Sequence, residues 1–141
     1  SALGSKQSFN RQSAYDASED WAILLLDRVP DGVNPFLLSE HSLRSLSSLD
    51  RKIIMPSYSN DVSNAEVVSI DSACSVRDMA WGALVHNCKA LYGSSGAPLL
   101  IRDGSGYAIV GIHTGSMFAS DSNGHVAQFV GNRAIRSRKF T

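Results

Sequence analysis

Pro98-Leu99-Leu100-Ile101-Arg102-Asp103-Gly104-Ser105-Gly106-Tyr107-Ala108-Ile109-Val110-Gly111-Ile112 sets the reading of the chain. Two apolar β runs flank a Gly-rich four-residue turn, which is a hairpin signal. Outward from it, Ile53-Ile54-Met55 and Val67-Val68-Ser69-Ile70 read as short strands with Asn60-Asp61 between them, and Trp81 to Val85 as another. Asn123-Gly124 marks a tight turn before Val126-Ala127-Gln128-Phe129-Val130. Short strands at regular spacing predict an all-β barrel or sandwich. Trp21-Ala22-Ile23-Leu24-Leu25-Leu26, closed by Asp27 and Pro30, has a length that fits a buried strand better than a helix. Asp31-Gly32 marks a turn. Leu37, Leu38, Leu43, Leu46 and Leu49 lie partly at helical spacing, so a short helix is expected there. Residues 1–19 are polar and Ser-rich and read as a tail or loop. Asn132 to Phe140, with Arg133, Arg136, Arg138 and Lys139, reads as a solvated helix end or tail.

Composition narrows the function classes. The 141 residues carry 13 Lys+Arg against 13 Asp+Glu, so formal charge is zero. A dedicated nucleic-acid binder needs a surplus of basic side chains to displace counterions from phosphates. A hydrophobic share of 43% with 18% charged residues excludes intrinsic disorder. The longest apolar run, Trp21 to Leu26, falls far short of the roughly 20 residues a membrane helix needs. The first residues lack the layout of a signal peptide. Cys74 and Cys88 form no C-x-x-C pair and have no His at metal-finger spacing, so no structural zinc is expected. Taken alone, they are equally two buried thiols or a disulfide. A bridge would contribute about 3 kcal/mol and place the protein outside the cytosol. No phosphate-loop pattern is present, and no cofactor or metal is expected.

The sharpest local feature is Gly93-Ser94-Ser95-Gly96-Ala97-Pro98, running directly into Leu99-Leu100-Ile101. A catalytic serine needs a hydroxyl projecting from a tight turn, backbone N–H groups aimed at the developing oxyanion, and a rigid element to fix both. This segment offers all three, although Ala97 excludes the G-x-S-x-G elbow. By itself it is equally an ordinary Ser/Gly hairpin loop.

The same segment followed by Ile109-Val110-Gly111-Ile112-His113-Thr114-Gly115 resembles the nucleophile region of chymotrypsin-like serine peptidases, in particular the bacterial secreted branch that includes the glutamyl endopeptidases. Glu19-Asp20-Trp21-Ala22-Ile23-Leu24 is similar to that family's acid motif, and the likeness extends over about residues 19 to 131. The resemblance implies a double β-barrel, of which the chain holds the end of the first barrel and all of the second, with a short C-terminal helix. Residues 1–19 would be a polar tail or cleaved loop, 20–36 the end of the first barrel with its linker, and 37–141 the second barrel. It implies that Ser95 is the nucleophile, that Asp20 orients the catalytic imidazole, and that Gly93 and Ser95 supply the oxyanion N–H groups. It further implies that Thr114, Gly115 and Ser116 pair with substrate backbone and that Cys74 and Cys88 are bridged.

In that family the catalytic histidine precedes the Asp, whereas His41, His86, His113 and His125 all follow Asp20. The resemblance therefore implies that the imidazole sits on an N-terminal segment of the same protease that is a separate fragment and partner after cleavage, a deleted part, or simply not included. Ser94 stands where animal enzymes have the Asp that pairs with a freed N-terminus, so no such activation switch is expected. His113 matches a histidine that meets an acidic P1 side chain, and reads equally as a packed, hydrogen-bonded histidine beneath the pocket. Lys89 lies close by and either adds positive charge to the substrate pocket or snorkels to water, and Ala90 replaces the hydroxyl residue used by those relatives. The expectation is a secreted or periplasmic serine endopeptidase acting on peptides or proteins, with no membrane or nucleic-acid partner. The alternative is an inactive, protease-like binding module.

Overall fold

The computed structural model describes residues 20–46, 52–80, 82–120 and 126–140. They form strands β1 (Leu37–Leu38), β2 (Ile53–Ser57), β3 (Ser69–Cys74), β4 (Val76–Ala80), β5 (Ala83–His86), β6 (Pro98–Asp103), β7 (Gly106–Ser120) and β8 (Val126–Arg136). A one-turn helix, α1 (Leu43–Leu46), and 3₁₀ turns at Ser63–Ala65 and Ser137–Lys139 complete the set. The fold is all-β. The expected hairpin forms as β6–β7 and closes with Asp103 opposite Gly106.

The strands follow the order β3-β2-β6-β7-β8-β5-β4, every neighbour antiparallel. β1 stands off this path and runs parallel to β7 at Ala108 and Ile109. The two ends of the path, β3 and β4, are consecutive in sequence and separated by Ser75 alone. A one-residue link cannot span an open sheet of this width, so the sheet curls until the end of β3 meets the start of β4. Ser75 is held at the seam by Asn87, whose Oδ1 accepts from the Ser75 N–H at 2.7 Å. Cys74 and Cys88 are disulfide-bonded across the same seam. Inside the roll, Ile53, Met55, Leu84, Leu99, Ile101, Val110 and Ala134 are buried together. The alternation Ile53-Met55-Ser57 inward is the period of two that a half-buried strand imposes.

The structure departs from the sequence reading at both ends. Trp21 to Leu26 is not a buried strand but an extended arm with Leu24, Leu25 and Leu26 exposed. The run has strand composition, yet no described strand lies beside it to receive its hydrogen bonds. The arm is fixed at its start by Trp21, edge-on to Phe140 at 5.7 Å. Past Phe36 it is fixed by β1 and by three side chains. Ser137 Oγ donates to the Ser39 carbonyl at 2.7 Å, Arg136 to the His41 carbonyl at 2.8 Å, and Arg138 to the Glu40 carbonyl at 2.6 Å. The stretch Asn132 to Phe140 is therefore no solvated tail. Its first half completes β8, with Ala134 and Ile135 buried, and its arginines grip the linker. The leucine run splits, with Leu37–Leu38 in β1 and Leu43–Leu46 in α1; Leu49 lies outside the described residues, as do Trp81 and Asn123-Gly124.

Candidate active site at the Gly93–Pro98 turn

The turn enters β6 at Pro98, between β2 on one side and β7 on the other. Its backbone is locked by four hydrogen bonds. Ser94 N–H donates to the Leu91 carbonyl (3.1 Å), Ala97 N–H to Ser94 (3.0 Å), Gly96 N–H to His113 (2.8 Å), and His113 N–H to Ala97 (2.9 Å). Among the described residues no acceptor engages the N–H of Gly93 or of Ser95. Ser95 is exposed, and its hydroxyl has no hydrogen-bond partner among them. Two uncommitted N–H donors therefore share one turn with an exposed hydroxyl.

Gly93 is required by its surroundings. Its φ is +93°, and a Cβ there would lie 2.3 Å from the Tyr58 carbonyl oxygen. Asn60 N–H donates to the Tyr92 carbonyl at 2.8 Å, so the loop after β2 is clamped onto the turn. Ser94 is fully buried; its Oγ accepts from the Leu91 N–H at 3.3 Å and makes a long 3.5 Å contact with Ser57 Oγ. Beside Ser95 opens a cavity of about 340 Å³ lined by Pro56, Tyr58, Val68, Gly93 and Pro98, among others.

On the other side, β6 leaves β7 at Ile112 and the turn takes over at His113. From Thr114 to Ser116 that edge of β7 has no partner strand among the described residues, while the opposite edge pairs Gly115 with Arg133 and Ser116 with Asn132. The Thr114 Oγ1 is buried with no hydrogen-bond partner. Ser116 Oγ donates to Asn132 Oδ1 (3.0 Å), and Asn132 Nδ2 donates to the Cys88 carbonyl (2.7 Å), which ties β7, β8 and the segment before the turn together. The Arg133 guanidinium lies 3.6–4.0 Å from the position of a Cβ on Gly115.

His113 and His86 are both buried, with Nδ1 of His113 3.1 Å from Nε2 of His86. The Cys88 N–H donates to Nδ1 of His86 at 3.3 Å. That nitrogen is therefore an acceptor, the proton of neutral His86 sits on Nε2, and Nδ1 of His113 accepts it. Neutral His113 then carries its own proton on Nε2. Burial pushes both imidazoles down to about 4, helped for His86 by His113 and for His113 by the Arg133 charge. Both rings are uncharged at neutral pH.

The remaining sequence candidates lie apart from this cluster. Asp20 is exposed at the start of the arm, and neither a hydrogen bond nor the cavity lining joins it to Ser95. Lys89 Nζ reaches Asp61 Oδ2 at 3.0 Å, an exposed pair of small energetic weight. Ala90 packs against the core. His125 lies outside the described residues, and His41 belongs to the linker. Among the described residues no group of three His, Cys, Asp or Glu is placed to hold a metal, and no helix is long and apolar enough to cross a membrane. The sequence reading missed His86 as the partner of His113, Asn132 as a tie, and Tyr58 and Val68 as pocket walls. Topology alone brings these residues together. No family model and no curated protein matches the chain.

Proposed function

We propose that the chain is the nucleophile-bearing part of a secreted serine endopeptidase with the chymotrypsin-like double-barrel fold. The rolled sheet would be the second barrel and residues 20–36 the end of the first. The observation that carries this reading is the pair of uncommitted N–H groups at Gly93 and Ser95 in the same turn as the exposed Ser95 hydroxyl. In the reaction, Ser95 Oγ attacks the scissile carbonyl and its proton passes to an imidazole. The carbonyl oxygen takes up negative charge against the two N–H groups, each typically worth about 10²–10³ in rate. Collapse returns the proton to the departing amine and leaves an acyl-enzyme, which water hydrolyses. The imidazole belongs to the N-terminal fragment and Asp20 orients it, because the His86 and His113 rings are committed to each other. The free edge at Thr114–Ser116 takes the substrate backbone as an added strand.

His113 and its Nε2 proton are read as the P1 contact, favouring an acidic side chain. A panel of peptides differing only at P1 tests this; a preference for Arg or Lys ends it. A second reading, a non-enzymatic binding module, is favoured by one observation: the Ser95 hydroxyl has no imidazole partner among the described residues. Fluorophosphonate labelling decides between them. Labelling of Ser95 with the His-bearing fragment present, lost in Ser95→Ala, supports the peptidase. Absence of labelling under those conditions supports the module.

A further inference from the structure

We infer that the cavity walled by Pro56, Tyr58, Val68 and Pro98 is a subsite for an apolar side chain on the leaving-group side of a bound peptide. The direction rests on the peptidase reading above; the existence of the subsite rests on the topology. β6 begins at the end of the serine turn and has β7 on one flank and β2 on the other. The open β7 edge at Thr114–Ser116 lies on the first flank. Every wall residue outside the turn and the start of β6 comes from the second. Pro56 and Ser57 end β2, Tyr58 follows it, and Val68 precedes β3, which pairs with β2. None comes from β7. A peptide laid along the β7 edge with its carbonyl at the Gly93 and Ser95 N–H groups must continue across the turn toward the β2 flank. The residue following the scissile bond then arrives over this cavity.

The chemistry of the walls selects what enters. Proline rings, a tyrosine and a valine dominate the lining, and no charged side chain is among it. Tyr58 and Val68 are both partly open to solvent beside a volume of about 340 Å³, enough for a leucine- or phenylalanine-sized group. A carboxylate or ammonium placed there would lose water and gain no partner. The position of the cavity is fixed rather than incidental, because the Tyr58 carbonyl is pressed against Gly93 and Asn60 is bonded to Tyr92.

The test uses the 141-residue chain, isotope-labelled, titrated by NMR with two probes: the dipeptide amide Leu-Phe-NH₂ and the acidic Asp-Ser-NH₂. The expected result is that Leu-Phe-NH₂ moves the resonances of Tyr58, Val68, Gly93 and Gly96, and that Asp-Ser-NH₂ binds at least about tenfold more weakly. Val68→Arg, at a partly exposed position that tolerates the change, should remove the Leu-Phe-NH₂ shifts while leaving the rest of the spectrum folded. Equal shifts from both probes, no shift at Tyr58 and Val68 at millimolar concentration, or shifts that survive in Val68→Arg overturn the inference. Fluorophosphonate labelling of Ser95, run in parallel with the proposed His-bearing segment added, separates the two claims. Dipeptide shifts with an unreactive Ser95 keep the pocket and remove the peptidase. A reactive Ser95 with no dipeptide shifts does the reverse.

Discussion

Gly93 and Gly96 both have positive φ, +93° and +86°, but only Gly93 is crowded. Gly96→Ala introduces backbone strain alone, roughly 1–2 kcal/mol. Gly93→Ala adds a collision with the Tyr58 carbonyl and should cost about 3 kcal/mol or more, with loss of fluorophosphonate labelling. Urea unfolding of the two variants measures the difference; equal losses would show that the Tyr58 carbonyl is not the constraint. The imidazole pair makes a second prediction. The folded rings titrate at about 4, below the 6.5 of the unfolded chain, so the unfolded state takes up protons first as pH falls. Stability from this source is complete above about pH 7, declines from about 6.5 and is lost by about 4. The loss is roughly 3 kcal/mol for the first ring, with the second coupled to it. His113→Gln should flatten that slope in urea titrations between pH 7.5 and 4.5. A wild-type slope already flat would mean that water reaches both rings. The site was partly legible at this scale. The Gly-Ser-Ser-Gly-Ala-Pro run announces a tight turn, but His86 and His113 stand 27 residues apart and meet only because β5 and β7 flank β8.

At the scale of elements, the hairpin Pro98–Ile112 is readable because Leu99–Ile101 and Ala108–Ile112 are apolar and buried or half-buried. β4, Val76-Arg77-Asp78-Met79-Ala80, was not, because an edge strand buries little and its Arg and Asp face solvent. The second half of β8 was mistaken for a tail because Asn132, Arg133 and Arg136 dominate its composition. Its two core residues, Ala134 and Ile135, are adjacent rather than alternating. The disulfide carries a prediction for the same elements. It closes a loop spanning β4 and β5 with a sequence separation of 14, which corresponds to about 3 kcal/mol. Reduction, or Cys74→Ser with Cys88→Ser, should lower Tm by on the order of 10 °C. Thermal melts with and without reductant check this, and an unchanged midpoint would place the stabilisation elsewhere.

Across the whole molecule, the arm is the region where composition and environment disagree. Leu24, Leu25 and Val29 are each more than two-thirds exposed, an unusual number of bare apolar side chains in one short segment. Because these side chains touch so little, Leu25→Lys should change the unfolding free energy by less than about 0.5 kcal/mol. Under the proposed function, the same change should weaken association with the proposed His-bearing segment, read by native mass spectrometry; undiminished association would mean that the arm is not the contact. Limited proteolysis should cut first between residues 22 and 33 and spare the rolled sheet. The seam at Ser75 has the opposite character. A single nick between Ser75 and Val76 would split the polypeptide into two pieces, yet Cys74 would still be bonded to Cys88 on the other piece. Such a cut molecule would migrate as one species until a reductant was added, so a break in the backbone there would go unseen by electrophoresis of an oxidised preparation.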